Sequence, residues 1–154
     1  LKPRFERDRE MIVVRLPSAE REFLSQVLDL LADVDGQEPE SGDPAARRLN
    51  VPVYLDDERS NDEWWRLMGD ELSSSRAADR KLYAGVLGKK ESRLTDEEAD
   101  AFLRVINEGR LAFAARLGLE VEEDHDRLPD AERAALDYMG WVLEDLTITL
   151  MGSL

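Results

Sequence analysis

The side chains able to do chemistry in this chain are carboxylates and cations, because it holds one histidine and no cysteine. The acids gather most densely at Glu120, Glu122, Glu123, Asp124 and Asp126, around His125. Such a cluster could hold calcium, but an EF-hand loop begun at Asp124 needs glycine where Pro129 stands and glutamate where Ala135 stands. Read as a solvated loop, the same charge suits the N-terminus of the helix that follows. A serine triad would have to recruit His125, and no Gly-x-Ser-x-Gly turn presents a nucleophile. Gly85 and Gly88 before Lys89-Lys90 are too short for a P-loop. With 35 Asp and Glu, neighbouring acid pairs arise by chance and mark no glycosidase dyad. These residues predict no enzyme, no cofactor and no specific metal site.

Cations concentrate elsewhere. Arg76, Arg80, Lys81, Lys89, Lys90 and Arg93 face only Asp79 and Glu91 between positions 76 and 93, a local +4 in a chain of net charge −14. One reading is a solvated helix face that balances acidic neighbours. The other is a docking surface for an acidic protein, with Trp64 or Trp65 as an anchor. Adjacent helical residues diverge by about 100°, so both tryptophans cannot face one core. Direct nucleic-acid binding is not expected, because such binding depends on neutralising phosphates and most of this molecule would repel them.

At 154 residues, with 42% hydrophobic content, the chain is expected to form a single domain over 1–154. Its longest uncharged run, Leu146–Leu154, falls well short of the roughly 18 residues that suggest a membrane span. The opening Leu1-Lys2-Pro3-Arg4-Phe5-Glu6 lacks an apolar signal core, so a cytoplasmic location is expected.

The elements that would position these groups are mostly helical. Arg4 to Arg7 and Met11 to Leu16 read as a hairpin, with Ile12, Val14 and Leu16 on one face. A hairpin is marginal alone and needs helices or another strand. Ser18 is the expected N-cap of a helix that carries Phe23, Leu24, Val27, Leu28, Leu31 and Val34 and ends at Gly36. Residues 35–44 read as a mobile loop, and Val51-Pro52-Val53-Tyr54-Leu55 as a short extended piece. A helix from near Asn61 is expected to break around Gly69 and Ser73-Ser74-Ser75, with a second segment ending at Gly88. Thr95-Asp96-Glu97-Glu98 is a capping box, opening a helix to about Leu117 with Gly118 as its stop. The last helix starts at Pro129-Asp130, and its apolar residues cover so much of its circumference that it should be central. The expected fold is a mostly α bundle of about five helices with an N-terminal β-hairpin, α+β by strict count.

Asn107-Glu108-Gly109-Arg110-Leu111, Arg116-Leu117-Gly118 and Tyr138-x-x-Trp141-x-x-Glu144-x-Leu146 carry a family resemblance. With Phe5, the Leu16 to Leu31 helix and Asp70-x-Leu72-x-x-x-Arg76, the chain resembles the actinobacterial domain of unknown function two thousand and seventeen. The resemblance implies a helical bacterial cytoplasmic protein, often encoded beside the adaptor of the Clp protease and sometimes labelled a transcriptional regulator. It brings no catalytic residue, and without cysteine no thiol switch carries over. Asn107, Arg110, Trp141 and Glu144 match the family pattern. Asn107 and Arg110 share a face with Phe102, Ile106 and Phe113, so these four are expected to form a polar core, Arg110 pairing with Glu144 first and Asp145 second.

The expected function is a non-enzymatic regulatory or interaction protein, acting on transcription through protein contacts. The alternative is an adaptor or cofactor in Clp-type proteolysis. The expected partner is an acidic protein of the transcription machinery or the Clp system, and homodimerisation stays open.

Overall fold

The computed structural model describes residues 2–37, 42–49, 58–119 and 122–152. Two strands, β1 (Phe5–Asp8) and β2 (Met11–Val14), form the hairpin, with Arg9 in the left-handed region at the turn. A third strand, β3 (Ser92–Leu94), pairs antiparallel with β2, giving the order β1-β2-β3 and setting Ile12 opposite Leu94. Ile12, Val13 and Val14 are all buried, so the central strand is covered on both faces rather than alternating with solvent.

Five α-helices follow the strands: α1 (Ser18–Asp35), α2 (Pro44–Leu49), α3 (Glu58–Leu87), α4 (Asp96–Arg116) and α5 (Asp130–Met151). Among the described residues the fold is mostly helical, as expected, with the hairpin enlarged to a three-stranded sheet. Helix α1 starts at Ser18 itself, after an uncapped Pro17, so Ser18 is inside the helix rather than its N-cap. Helix α2 begins at Pro44, where the expected loop ends, and covers residues for which no element was expected. Asp43 accepts from the Ala45 amide at 3.0 Å, and Pro44 sits where a helix tolerates a missing N–H. Residues 38–41 and the expected extended piece at 51–55 lie outside the described residues.

Helix α3 is continuous through Gly69 and Ser73-Ser74-Ser75, where a break was expected. Glycine or serine in an exposed helix costs about 1 kcal/mol or less per residue. The long-range bonds of Arg76, Asp79, Arg80 and Tyr83 anchor the half of the helix that follows the serines. Arg21 donates to the carbonyls of Leu16 and Leu87, closing the end of α3 against the start of α1.

The centre of the bundle is α4, not the last helix. It packs against α1, α2, α3, α5 and the sheet, and buries Ala99, Ala101, Phe102, Val105, Ile106, Gly109 and Ala112. Its start is the expected capping box: the Thr95 hydroxyl accepts from Glu98 N at 3.1 Å, and the Thr95 amide donates to Glu98 Oε1 at 3.0 Å. Gly109 is required where α1 crosses, because a Cβ there would collide with the Val27 side chain. Leu117 caps the helix and Gly118, at φ +76°, turns the chain away. Tyr83 stacks on Phe102 with ring centroids 4.9 Å apart and donates its hydroxyl to Leu24 O at 2.7 Å, joining α3, α4 and α1. Burial pushes the Tyr83 hydroxyl far above its ordinary pKa.

Helix α5 packs on α4 and β1, burying Leu136, Met139, Val142 and Leu146. On its other side Trp141, Ile148 and Met151 are exposed among the described residues. Arg7 joins three elements: it pairs with Asp96 at 2.6 Å and donates to Leu150 O at 3.2 Å.

Candidate interaction surfaces

The six cations of residues 76–93 do not form one free patch. Arg76 donates to Leu49 O at 3.0 Å and holds the end of α2. Arg80, largely covered, bridges Asp35 of α1 and Glu108 of α4, the latter at 3.1 Å. Arg93 in β3 pairs with Asp8 in β1 at 2.7 Å, across the strand between them. The arginines therefore close the fold. Lys81, Lys89 and Lys90 are exposed and make no ion pair among the described residues, so the unpaired cations of the segment are its lysines. Trp64 is half-buried, and the Trp65 side chain lies outside the described residues. Leu67 and Met68 are the exposed apolar residues of that stretch.

The expected polar core is not a core. Asn107, Arg110, Trp141 and Glu144 are all exposed, and no polar or charged residue is buried among the described residues. Gly109 takes the close approach to α1, which turns its neighbour Arg110 about 100° away toward solvent. Arg110 pairs with neither Glu144 nor Asp145. Its guanidinium lies across α5 at Gly140, where a Cβ would come within 3.3 Å of Nη2.

A different polar cluster holds the N-terminal segment to α1 and α5. Arg4 donates to both oxygens of Glu20, at 2.8 and 2.9 Å from Nε and 2.6 Å from Nη2. The Tyr138 hydroxyl donates to Glu20 Oε1 at 2.6 Å. Tyr138 meets Phe23 edge-on at 5.3 Å, and the Arg4 guanidinium lies 5.2 Å from the centre of the Trp141 ring. Burial pushes the Glu20 carboxyl up, but the bonds from Arg4 and Tyr138 outweigh it and hold the group below its ordinary value. Asp145 on α5 is raised by desolvation, with Arg4 opposing. Arg4 and Tyr138 pack against the Trp141 ring, which is still 44% exposed; Ile148 at 61% and Met151 at 60% continue the apolar surface along α5.

The acidic segment forms a 3-10 turn over Glu122–Arg127. His125 Nε2 lies 2.8 Å from Asp137 Oδ1, and this bond raises the imidazole pKa. Among the described residues no group of three or more His, Asp or Glu is placed to hold a metal ion. A mainly apolar cleft of about 370 Å³ lies between α1, α4 and α5, bordered by Phe23, Leu30, Phe113, Ala135 and Glu132.

Neither the Arg4–Glu20–Tyr138 cluster nor the exposed run on α5 was found from the sequence. Trp141 stood among the matched positions, but its partner Arg4 lies at the other end of the chain. The signal available was the spacing of Trp141, Ile148 and Met151, which separates them from Leu136, Met139, Val142 and Leu146 on the helix.

No described helix is long and apolar enough to cross a membrane. No curated protein and no solved structure matches this chain. The model of one family, described as a domain of unknown function (DUF2017), matches residues 2–150, and the chain therefore belongs to that family.

Proposed function

We propose that the chain is a non-enzymatic regulatory protein that works by binding another protein, with the outer face of α5 as its principal contact. The observation that carries this reading is Trp141, exposed yet held by Arg4, with Ile148 and Met151 beyond it. Protein interfaces draw most of their affinity from a few such anchors, and tryptophan is among the commonest. An anchor already packed against its neighbours loses less conformational freedom on binding. The setting we propose is cytoplasmic transcription control through protein contact, without reading of bases. A net charge of −14 supports a protein partner over a nucleic acid.

The second reading is an adaptor in Clp-type proteolysis. It is favoured by a second exposed surface of opposite chemistry, the lysines at 81, 89 and 90, which suit an acidic partner. An adaptor needs two such faces. Capture with the purified protein separates the readings. Recovery of RNA polymerase or a sigma factor, lost with Trp141→Ala, supports transcription control. Recovery of Clp components, lost with Lys89→Glu/Lys90→Glu, supports the adaptor. Unchanged capture by both variants would sink both.

A further inference from the structure

The solvent-facing side of α5 carries large apolar side chains that packing against α4 does not require. Ala134, Asp137, Trp141, Glu144, Ile148 and Met151 are all exposed, and successive members are spaced three or four residues apart. On a helix that spacing traces one stripe. Ala134, Trp141 and Ile148 recur every seven residues as one apolar row. The companion row is Asp137, Glu144 and Met151, acidic in two positions of three.

Those two acids decide what can cover the stripe. Two parallel copies would set Glu144 against Glu144, and two antiparallel copies would press each acid onto an apolar row. Like charges facing each other repel, and a carboxylate buried without a partner is strongly unfavourable. A helix carrying cations opposite the acids meets neither obstacle. Of the basic groups bordering the stripe, Arg4 is committed to Glu20 and His125 already holds Asp137 at 2.8 Å, which leaves Glu144 as the acid with no bond among the described residues; Arg110 lies across Gly140 without an ion pair among the described residues.

We infer that this stripe is the docking seam for one amphipathic helix of a partner protein, with apolar side chains against Trp141 and Ile148 and lysine or arginine opposite Glu144. The seam rests on the reading of α5 as the contact face and adds the chemistry of what it contacts. A carboxylate on the partner's flank beside Arg110 would complete the register.

The test uses two labelled synthetic helical peptides with the same leucine seam, one flanked by lysines and one by glutamates, titrated into the whole chain by fluorescence anisotropy. The lysine peptide should bind at least tenfold more tightly at 0.1 M salt. Glu144→Lys should erase that preference, whereas Glu71→Lys, which changes net charge equally from α3, should leave it intact. Equal loss in both variants would mean bulk attraction and overturn the seam. A parent protein that sediments as a dimer dissociated by Trp141→Ala would make a second copy the occupant, and would also overturn it. Binding of both peptides without charge preference, lost in Trp141→Ala/Ile148→Ala, would refute the partner chemistry but keep α5 as the contact face. If that double variant binds as the parent does, both fail. All substituted positions are exposed, so circular dichroism should show an unchanged fold.

Discussion

The end of α3 and the outer face of α5 both combine charge with large side chains, but they use the charge in opposite ways. On α3 the arginines turn inward: Arg80 holds Asp35 and Glu108, and Arg76 holds the Leu49 carbonyl. On α5 the buried residues are apolar, and the acids Asp137 and Glu144 stand outward among Trp141, Ile148 and Met151. The arginines of a cationic run therefore became internal bracing, and a helix whose apolar richness suggested a central place carries exposed apolar side chains. Net charge along a segment says little about availability. The geometry of each guanidinium decides it, because arginine's planar fork suits paired carboxylates within the fold.

Stability should separate the two regions. Arg80→Ala leaves Asp35 and Glu108 facing each other across the α1–α3–α4 junction. Breaking a buried pair typically costs about 3–5 kcal/mol, and the partial exposure of Asp35 reduces that to about 2 kcal/mol here. Chemical denaturation should show a clearly lowered midpoint. If Arg80→Ala instead matches the parent, the bracing role fails and the docking reading of the α3 cations regains ground.

Tyr138→Phe should be the next most costly change, because it removes one donor from the Glu20 carboxylate. A hydrogen bond to a charged group contributes about 1.5–3 kcal/mol, and the lower end is expected where the Arg4 bonds remain. The same cluster predicts a pH dependence. Glu20 is held below its ordinary value, so its contribution is present above about pH 4.3 and is lost as pH falls through the lower folded value. Acid unfolding of Glu20→Gln should accordingly show a shallower loss of stability below pH 4.3 than the parent.

Lys81→Ala and the double variant Lys89→Glu/Lys90→Glu should each leave stability within about 0.5 kcal/mol of the parent, as exposed and unpaired positions do. Smallest of all is the effect at His125. Its raised pKa gives a stabilisation that is full below about pH 6.5 and fades as pH rises through the folded value. An NMR titration of the single imidazole should place its midpoint above 6.5, and Asp137→Asn should bring it down toward that value.

Much of the fold was legible in the sequence. The hairpin, the Thr95 capping box, the Gly118 stop and the Pro129-Asp130 start all rest on local chemistry that needs no tertiary context. What failed was decided at a distance. Ser92-Arg93-Leu94 offers too few alternating residues to announce a strand, and becomes one only by pairing with β2. Helix α2 carried a start signal in Asp43-Pro44 but is only six residues long, and its Ala45 and Ala46 are buried by tertiary packing. Arg110 was expected inside because it shares an apolar face with Phe113. A one-residue difference in which side of α4 meets α1 gave that place to Gly109. The apolar richness of α5 suggested a central helix, but apolar composition does not reveal that a neighbouring helix covers only one side.

On the proposed reading, α5 rather than the basic end of α3 is the face this protein presents to its partner. Hydrogen exchange of the whole chain, free and bound to the partner it captures, tests this directly. Exchange of the amides of residues 134–151 should slow on binding, with residues 81–90 unchanged. Protection confined to residues 81–90, with 134–151 exchanging as in the free protein, would contradict it.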